Sequence, residues 1–336
     1  MGLGRYLTQK TLWYLGALVV AVILNFLLPR LIPGNPVDVI VSSMGASGQA
    51  STEYLARVYE TYLTQFGLND PLWQQFVTYV GNAVQGDLGR SFEYFPQPVS
   101  DMVGQALPYT LVLQIPAIIL GWIVGNLVGA LAAYKGGGWD KSVFTVALFL
   151  SSMPYYCLAI LLLYGLAIGM DWFPVGGAYS FSQTPGWTWE FFSDALYHWW
   201  LPFLSLFLIN VGGQATGMRS MAIYELGSDY VNYSRSLGIR GRTMTGYVFR
   251  NAMLPQITGL ALSIGTMVGG ALIAELVFNY PGMGSLLLYA VAANDYPVIQ
   301  AVTLIITLAV LVANYVVEVL YGFIDPRIRA AKTGEK

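Results

Sequence analysis

Apolar residues run along this chain in continuous blocks of about 20, the length that carries an α-helix across a bilayer core. They do not alternate with polar residues, as the strands of a membrane barrel would. The blocks fall at 12–31, 110–133, 143–168, 199–217, 256–278 and 299–323. They predict an all-α polytopic membrane protein with six transmembrane helices, because a helix satisfies its backbone hydrogen bonds within itself. The first block is too long for a signal peptide, and Leu31-Ile32-Pro33-Gly34 follows it in place of a small-residue cleavage pattern. The expected divisions are a tail with the first helix (1–32), a long external loop region (33–107), a five-helix core (108–323) holding a polar segment at 218–254, and a second tail (324–336).

The loops have patterns of their own. Trp73, Phe76, Val77, Val80 and Val84 recur at helical spacing after Pro71, a favourable first-turn residue. Residues 53–66 also read as helix, stopped by Gly67. Such amphipathic helices suit either a packed lid over the spans or a docking surface. Farther on, Trp172, Trp187 and Trp189 fit an interfacial aromatic belt. The lone His198, at a span edge, fits a structural role.

Composition agrees with this class. Of 336 residues 56% are hydrophobic and only 10% charged, against about a quarter charged in a soluble domain. The placement of charge also gives an orientation. If both termini share a side, that side holds Arg5, Lys10, Lys135, Lys141, Arg219, Arg235, Arg240, Arg242, Arg250, Arg327, Arg329, Lys332 and Lys336. The other side holds only Arg30, Arg57 and Arg90, while acids such as Asp38, Asp87 and Asp295 gather there. The positive-inside rule then places both termini and segment 218–254 in the cytoplasm.

Several chemistries are excluded. None of the five lysines, at 10, 135, 141, 332 and 336, follows a glycine, so no phosphate-binding Gly-Lys loop exists. One histidine and one cysteine make no zinc or thiolate site, and Cys157, in an apolar run, reads as a buried inert thiol. There is no G-x-S-x-G elbow. Glu275 and Glu318 lie toward the ends of their spans, whereas an ion-coupled secondary carrier calls for acids at mid-span. The expectation is therefore no catalytic residue, no metal, no cofactor held by this chain and no nucleic-acid partner. Gly121, Gly125 and Gly129 in the second span, and Gly265 and Gly269 in the fifth, mark faces of close helix packing, against a partner subunit or in a sliding contact.

The polar segment "DYVNYSRSLGIRGRTMTGYVFRNAMLP" (229–255) is the least membrane-like part of the core. Asp229 reads as an N-cap and Gly238 as a left-handed helix end, leaving about two turns between them. Tyr230, Tyr233 and Leu237 share one face. A helix this short is unstable alone in water and needs something to dock on. A second helix is expected to begin near Thr243 and run into the fifth span, with Pro255 as a hinge. The alternative is a loop held at lipid headgroups by its arginines.

This segment resembles the cytoplasmic coupling loop, or EAA loop, of binding-protein-dependent ABC importer permeases, with Gly238 as its glycine and Leu254-Pro255 as its Leu-Pro. The residues at its EAA positions here are Asn232, Tyr233 and Ser234. "LIPGNPVD" (31–38), "FGLNDPLWQQFVTYVGN" (66–82), "GDLGRSF" (86–92), "RNAMLPQIT" (250–258) and "ELVFNYPGMGSLLLYAV" (275–291) are similar to the first permease subunit of the dipeptide/oligopeptide family, over nearly the whole chain. The resemblance implies a prokaryotic inner or plasma membrane and a second homologous permease as partner. It also implies two cytoplasmic ATPase subunits that bind ATP and Mg, and an external substrate-binding protein. ATPase coupling would fall to Asp229, Tyr230, Tyr233, Ser234, Arg235, Leu237, Gly238 and Arg240. Peptides are the first substrate expectation and oligosaccharides the second.

Overall fold

The computed structural model describes residues 3–31, 37, 41, 52–65 and 67–324. Its helices are α1 (Leu3–Leu27), a 3-10 turn (Leu28–Leu31), α2 (Thr52–Gln65), α3 (Leu72–Val84), α4 (Val99–Lys135), α5 (Gly137–Ser152) and α6 (Tyr155–Leu162), which a π-turn prolongs over Leu163–Gly169. There follow α7 (Trp189–Leu226), α8 (Asp229–Ser236), α9 (Gly241–Val277), α10 (Met283–Ala292) and α11 (Tyr296–Ile324). Among the described residues the only β-type pairing is the isolated bridge Arg90–Pro98, so the all-α class stands. The tail cations Arg327, Arg329, Lys332 and Lys336, the side chains of Arg242 and Leu254, and the surroundings of Gly265 and Gly269 fall outside the described residues.

The six-span count is not exactly reproduced. Among the described residues four helices are long and apolar enough to cross a membrane, or five if α5 and α6 count as one broken span. That break is what the sequence reading did not anticipate. The expected single span 143–168 is bent by 102° between Gly137–Ser152 and Tyr155–Gly169. Its cause is Pro154, which drives Met153 out of the helical region to φ −80°, ψ 133°. The fifth expected span lies inside α9, which continues unbroken through Pro255.

The chain resolves into two compact units. One comprises Met1–Pro108 with Gly282–Lys336. In it α1 and α11 run antiparallel and are joined by polar side chains. The Tyr6 hydroxyl donates to the Glu318 carbonyl (3.2 Å) near one end. Asn25 donates to the Gln300 carbonyl (2.8 Å) near the other. Between them the Thr11 and Tyr315 hydroxyls lie 2.9 Å apart, and Lys10 pairs with the Glu318 carboxylate. The start of α1 and the end of α11 therefore share one end of this unit. At the opposite end α3 packs Phe76 and Tyr79 on Phe26, with ring centres 5.2 and 5.7 Å apart. The apolar positions of α3 thus divide: Phe76 and Val80 turn inward, while Trp73, Val77 and Val84 are exposed.

Asp295 precedes α11 and is nearly fully buried. Its carboxylate accepts from the Ser91 hydroxyl and from the backbone N–H groups of Phe92 (3.1 Å) and Glu93 (3.2 Å). An acid expected merely to face outward is in fact the clasp that ties the outer loop to the last helix. The neighbouring core comprises Phe92, Val99, Val103, Met283, Val298 and Val302.

The other unit is Tyr109–Pro281. Its axis is α7, 38 residues long, about 57 Å at 1.5 Å per residue. The glycine stripe of α4 is spent on α7 itself: a Cβ on Gly121 would lie 2.6 Å from the Asn210 Cβ, and one on Gly125 2.6 Å from the Gln214 Cβ and 2.8 Å from the Val211 carbonyl. Gly212 of α7 lies as close to α5, its added Cβ meeting the Ala147 carbonyl at 2.8 Å. Trp199, Phe203 and Phe207 stack along one edge of α7, ring centres 4.2 and 5.3 Å apart. Glu275 is fully buried and accepts from the Thr110 hydroxyl (2.6 Å), a hydrogen bond between α9 and α4. His198 is buried with Nδ1 2.9 Å from the Asp194 carbonyl, a structural contact. Cys157 departs from expectation, being half-buried rather than enclosed.

Candidate coupling site

The polar segment forms the helix α8, whose ends follow from its residues. Ser228, not Asp229, occupies the N-cap; Asp229 is the first-turn acid, where it complements the helix dipole. The Ser228 hydroxyl donates to the Glu225 carbonyl (2.6 Å) instead of capping α8, which tightens the turn from α7. At the other end Gly238 has φ +72°. Its N–H reaches the Arg235 carbonyl (3.0 Å), and the Ile239 N–H reaches the Ser234 carbonyl (3.2 Å). This paired pattern closes a helix on a left-handed residue, as the glycine predicted. Gly241 then opens α9, two residues ahead of the expected start.

The short helix is held from below. Val231, fully buried, meets Met218 and Ala222 of α7 and Val248 and Ala252 of α9, with Tyr230, Met244 and Phe249 around them. The Tyr230 hydroxyl donates to the Glu225 carboxylate (2.7 Å). Burial, with that carboxylate beside it, raises the phenol's pKa and keeps it a donor. The trio expected on one docking face is therefore split. Tyr230 belongs to the internal base, while Tyr233 and Leu237 are 67% and 61% exposed. Asn232, Arg235 and Arg240 are exposed beside them, and Ser234 is half-buried. The surface α8 presents is thus a small apolar pair within a basic rim.

A second contact joins the start of α5 to the last part of α7. Arg219 donates from Nε and Nη2 to the two Asp140 carboxylate oxygens, each at 2.6 Å, and its guanidinium lies 4.3 Å from the Phe144 ring centre. The hydrogen bond from Arg219 outweighs desolvation and holds the Asp140 carboxyl below the usual carboxylate range. Sequence reasoning missed Val231, Glu225 and the Asp140–Arg219 pair. Val231 left a trace as the one apolar β-branched residue in an otherwise polar helix; the acids left none, since their partners lie five and 79 positions away.

Among the described residues no cluster of three metal-ligating side chains occurs, and α8 presents Tyr233 and Leu237 from a base packed around Val231. The long apolar helices define the class, a helical membrane protein. A family model for the inner membrane component of binding-protein-dependent transport systems matches residues 125–330, and the chain belongs to that family. It is a family of membrane permease subunits rather than enzymes, working with substrate-binding proteins and ATPase subunits. The permease of a di/tripeptide transport system from Pseudomonas aeruginosa is 34% identical over 322 residues, 91% of this chain and 93% of the relative. That of a glutathione transport system from Escherichia coli is 33% identical over 97% of this chain and 99% of the relative. An oligopeptide transport system permease from Bacillus subtilis is 30% identical over the same shares.

Proposed function

We propose that this chain is one of two related permeases in an ATP-driven importer of short peptides, with Tyr233 and Leu237 as its contact with a cytoplasmic ATPase subunit. The observation that carries the coupling reading is α8 itself: two turns of helix, fixed by Val231 and Tyr230, with two large apolar side chains left exposed at its far face. Isolated apolar groups on a rigid helix serve as interface anchors. Both termini and 218–254 face the cytoplasm in this reading, supported by the charge distribution and by the shared end of α1 and α11. A second permease, two ATPases carrying ATP and Mg, and an external binding protein complete the assembly. Closure of the ATPase pair would draw the two coupling helices together and switch the spans between outward and inward access.

Peptides are the substrate class that the relatives' names support; the oligosaccharide reading has no comparable support. The test is uptake by vesicles holding the whole assembly and its binding protein, with labelled trialanine and a labelled trisaccharide supplied separately. ATP-dependent uptake of trialanine alone is expected. Uptake of the trisaccharide alone would replace the peptide reading, and uptake without ATP would replace the importer.

A further inference from the structure

An open cavity of about 430 Å³ lies in the unit that contains the outer loop, bordered by α2, α3, residues 86–95 and the start of α11. Its size falls within the roughly 300–1,000 Å³ of small-molecule sites. Two cations, Arg30 and Arg90, and two anions, Asp70 and Asp87, line it. No ion pair joins any of them to another among the described residues; Arg90 donates to the Pro96 carbonyl (3.0 Å) and Asp87 accepts from the Gly89 N–H (2.9 Å), contacts with neutral groups that leave the charges un-neutralised. Tyr79 and Tyr296 add aromatic wall.

The walls are fixed from behind by buried polar contacts. Asn25, buried, donates to the Tyr79 hydroxyl (3.1 Å) and to the Gln300 carbonyl (2.8 Å). The Arg30 guanidinium lies 3.6 Å from the Phe26 ring centre and donates to the Phe26 carbonyl (2.7 Å) and to Gln75 (2.9 Å). Asp295 holds the 91–93 turn, and with it the approach of Arg90. Side chains ordered in advance lose less entropy when a ligand arrives.

We propose that this cavity binds a short peptide through both of its charged termini, the carboxylate toward Arg30 and Arg90 and the ammonium toward Asp70 and Asp87. The proposal rests on the peptide reading above and assigns it a place on the outward side of this chain. Recognition of termini, with aromatic walls and no shaped side-chain pocket, would accept many sequences.

The test uses the complete assembly in vesicles with unmodified binding protein. Asp87→Asn with Arg90→Gln should raise the trialanine concentration for half-maximal uptake about fivefold, which corresponds to about 1 kcal/mol. N-acetyl-trialanine amide lacks both charges, so its uptake should be equally poor in wild type and variant. Equal half-maximal concentrations for trialanine in wild type and variant overturn the site and leave the peptide reading intact. A variant loss that is the same for free and capped peptide also overturns it, since that loss would come from structure or docking. If the double variant fails to assemble, equilibrium dialysis of labelled trialanine against the assembly without binding protein decides: saturable binding by wild type that is lost in Asp70→Asn supports the site, and no saturable binding overturns it. Absence of trialanine uptake by wild type removes the peptide reading and this proposal with it.

Discussion

The two units of this chain hold their helices together by different means. In the unit of the termini and outer loop, polar side chains join α1 to α11: Asn25 to Gln300, Thr11 to Tyr315, Lys10 to Glu318. In the unit of 109–281, glycines let α4, α7 and α5 approach to backbone contact. Lipid chains are as apolar as leucine, so burial gives little drive for helices to associate. What remains is close packing or hydrogen bonding, and each unit leans on one of them. Packing fails abruptly when a side chain is added, whereas hydrogen bonds can be removed one at a time.

The comparison predicts a ranking. Gly125→Leu should be the most damaging change, costing more than about 3 kcal/mol, because its side chain meets backbone of α7. Loss of monodisperse protein in detergent checks it, with Gly213→Ala, where a Cβ meets nothing within 4 Å, as the tolerated control. In the other unit Asp295→Ala should cost about 2–3 kcal/mol by stranding Ser91 and two backbone donors, read as a fall in melting temperature. If Asp295→Ala proved worse than Gly125→Leu, the ranking of packing over polar contacts would be reversed.

Gly238 sharpens the comparison, because a Cβ added there would meet nothing within 4 Å and only its φ matters. Gly238→Val should insert but lose copurifying ATPase, with local strain of about 1–3 kcal/mol. Gly238→Asn should keep it, since asparagine tolerates positive φ. Failure of both alike would assign the glycine a contact rather than a conformation. Thr11→Val should be among the mildest changes, about 0.6 kcal/mol, visible only as a small shift in melting. The Asp140–Arg219 pair gives a pH signature. Asp140 has a depressed folded pKa, so its contribution is present above the unfolded value of about 3.9 and is lost as pH falls through the folded value. Wild type should therefore lose melting temperature more steeply than Asp140→Asn below about pH 4.

Much of this was legible in the residues, and the misses have physical causes. The all-α class follows from run length, and the end of α8 from a glycine suited to a positive φ. The stripe at Gly121, Gly125 and Gly129 announced close packing but not its partner, which is α7 of the same chain; small residues specify proximity, not identity. Pro154 was in plain view inside an apolar run, yet average hydropathy across a window hides a bend. In α8 the spacing of Tyr230, Tyr233 and Leu237 suggested a shared docking face, but two turns are too few to tell an inward edge from an outward one. Val231, by its burial, decided the matter.

The elbow at Met153–Pro154 has a consequence for what surrounds it. Pro154 brings no N–H, and the turn from α5 to α6 interrupts the ladder of carbonyls that a continuous helix keeps to itself. Hydrocarbon cannot solvate such groups, and irregular backbone at membrane depth persists only beside protein or water. Pro154, Tyr155 and Tyr156 are exposed on this chain, the two tyrosines offering hydroxyls at the bend. An elbow of this kind is wetted poorly by acyl chains, and protein or water satisfies it better than bulk lipid does.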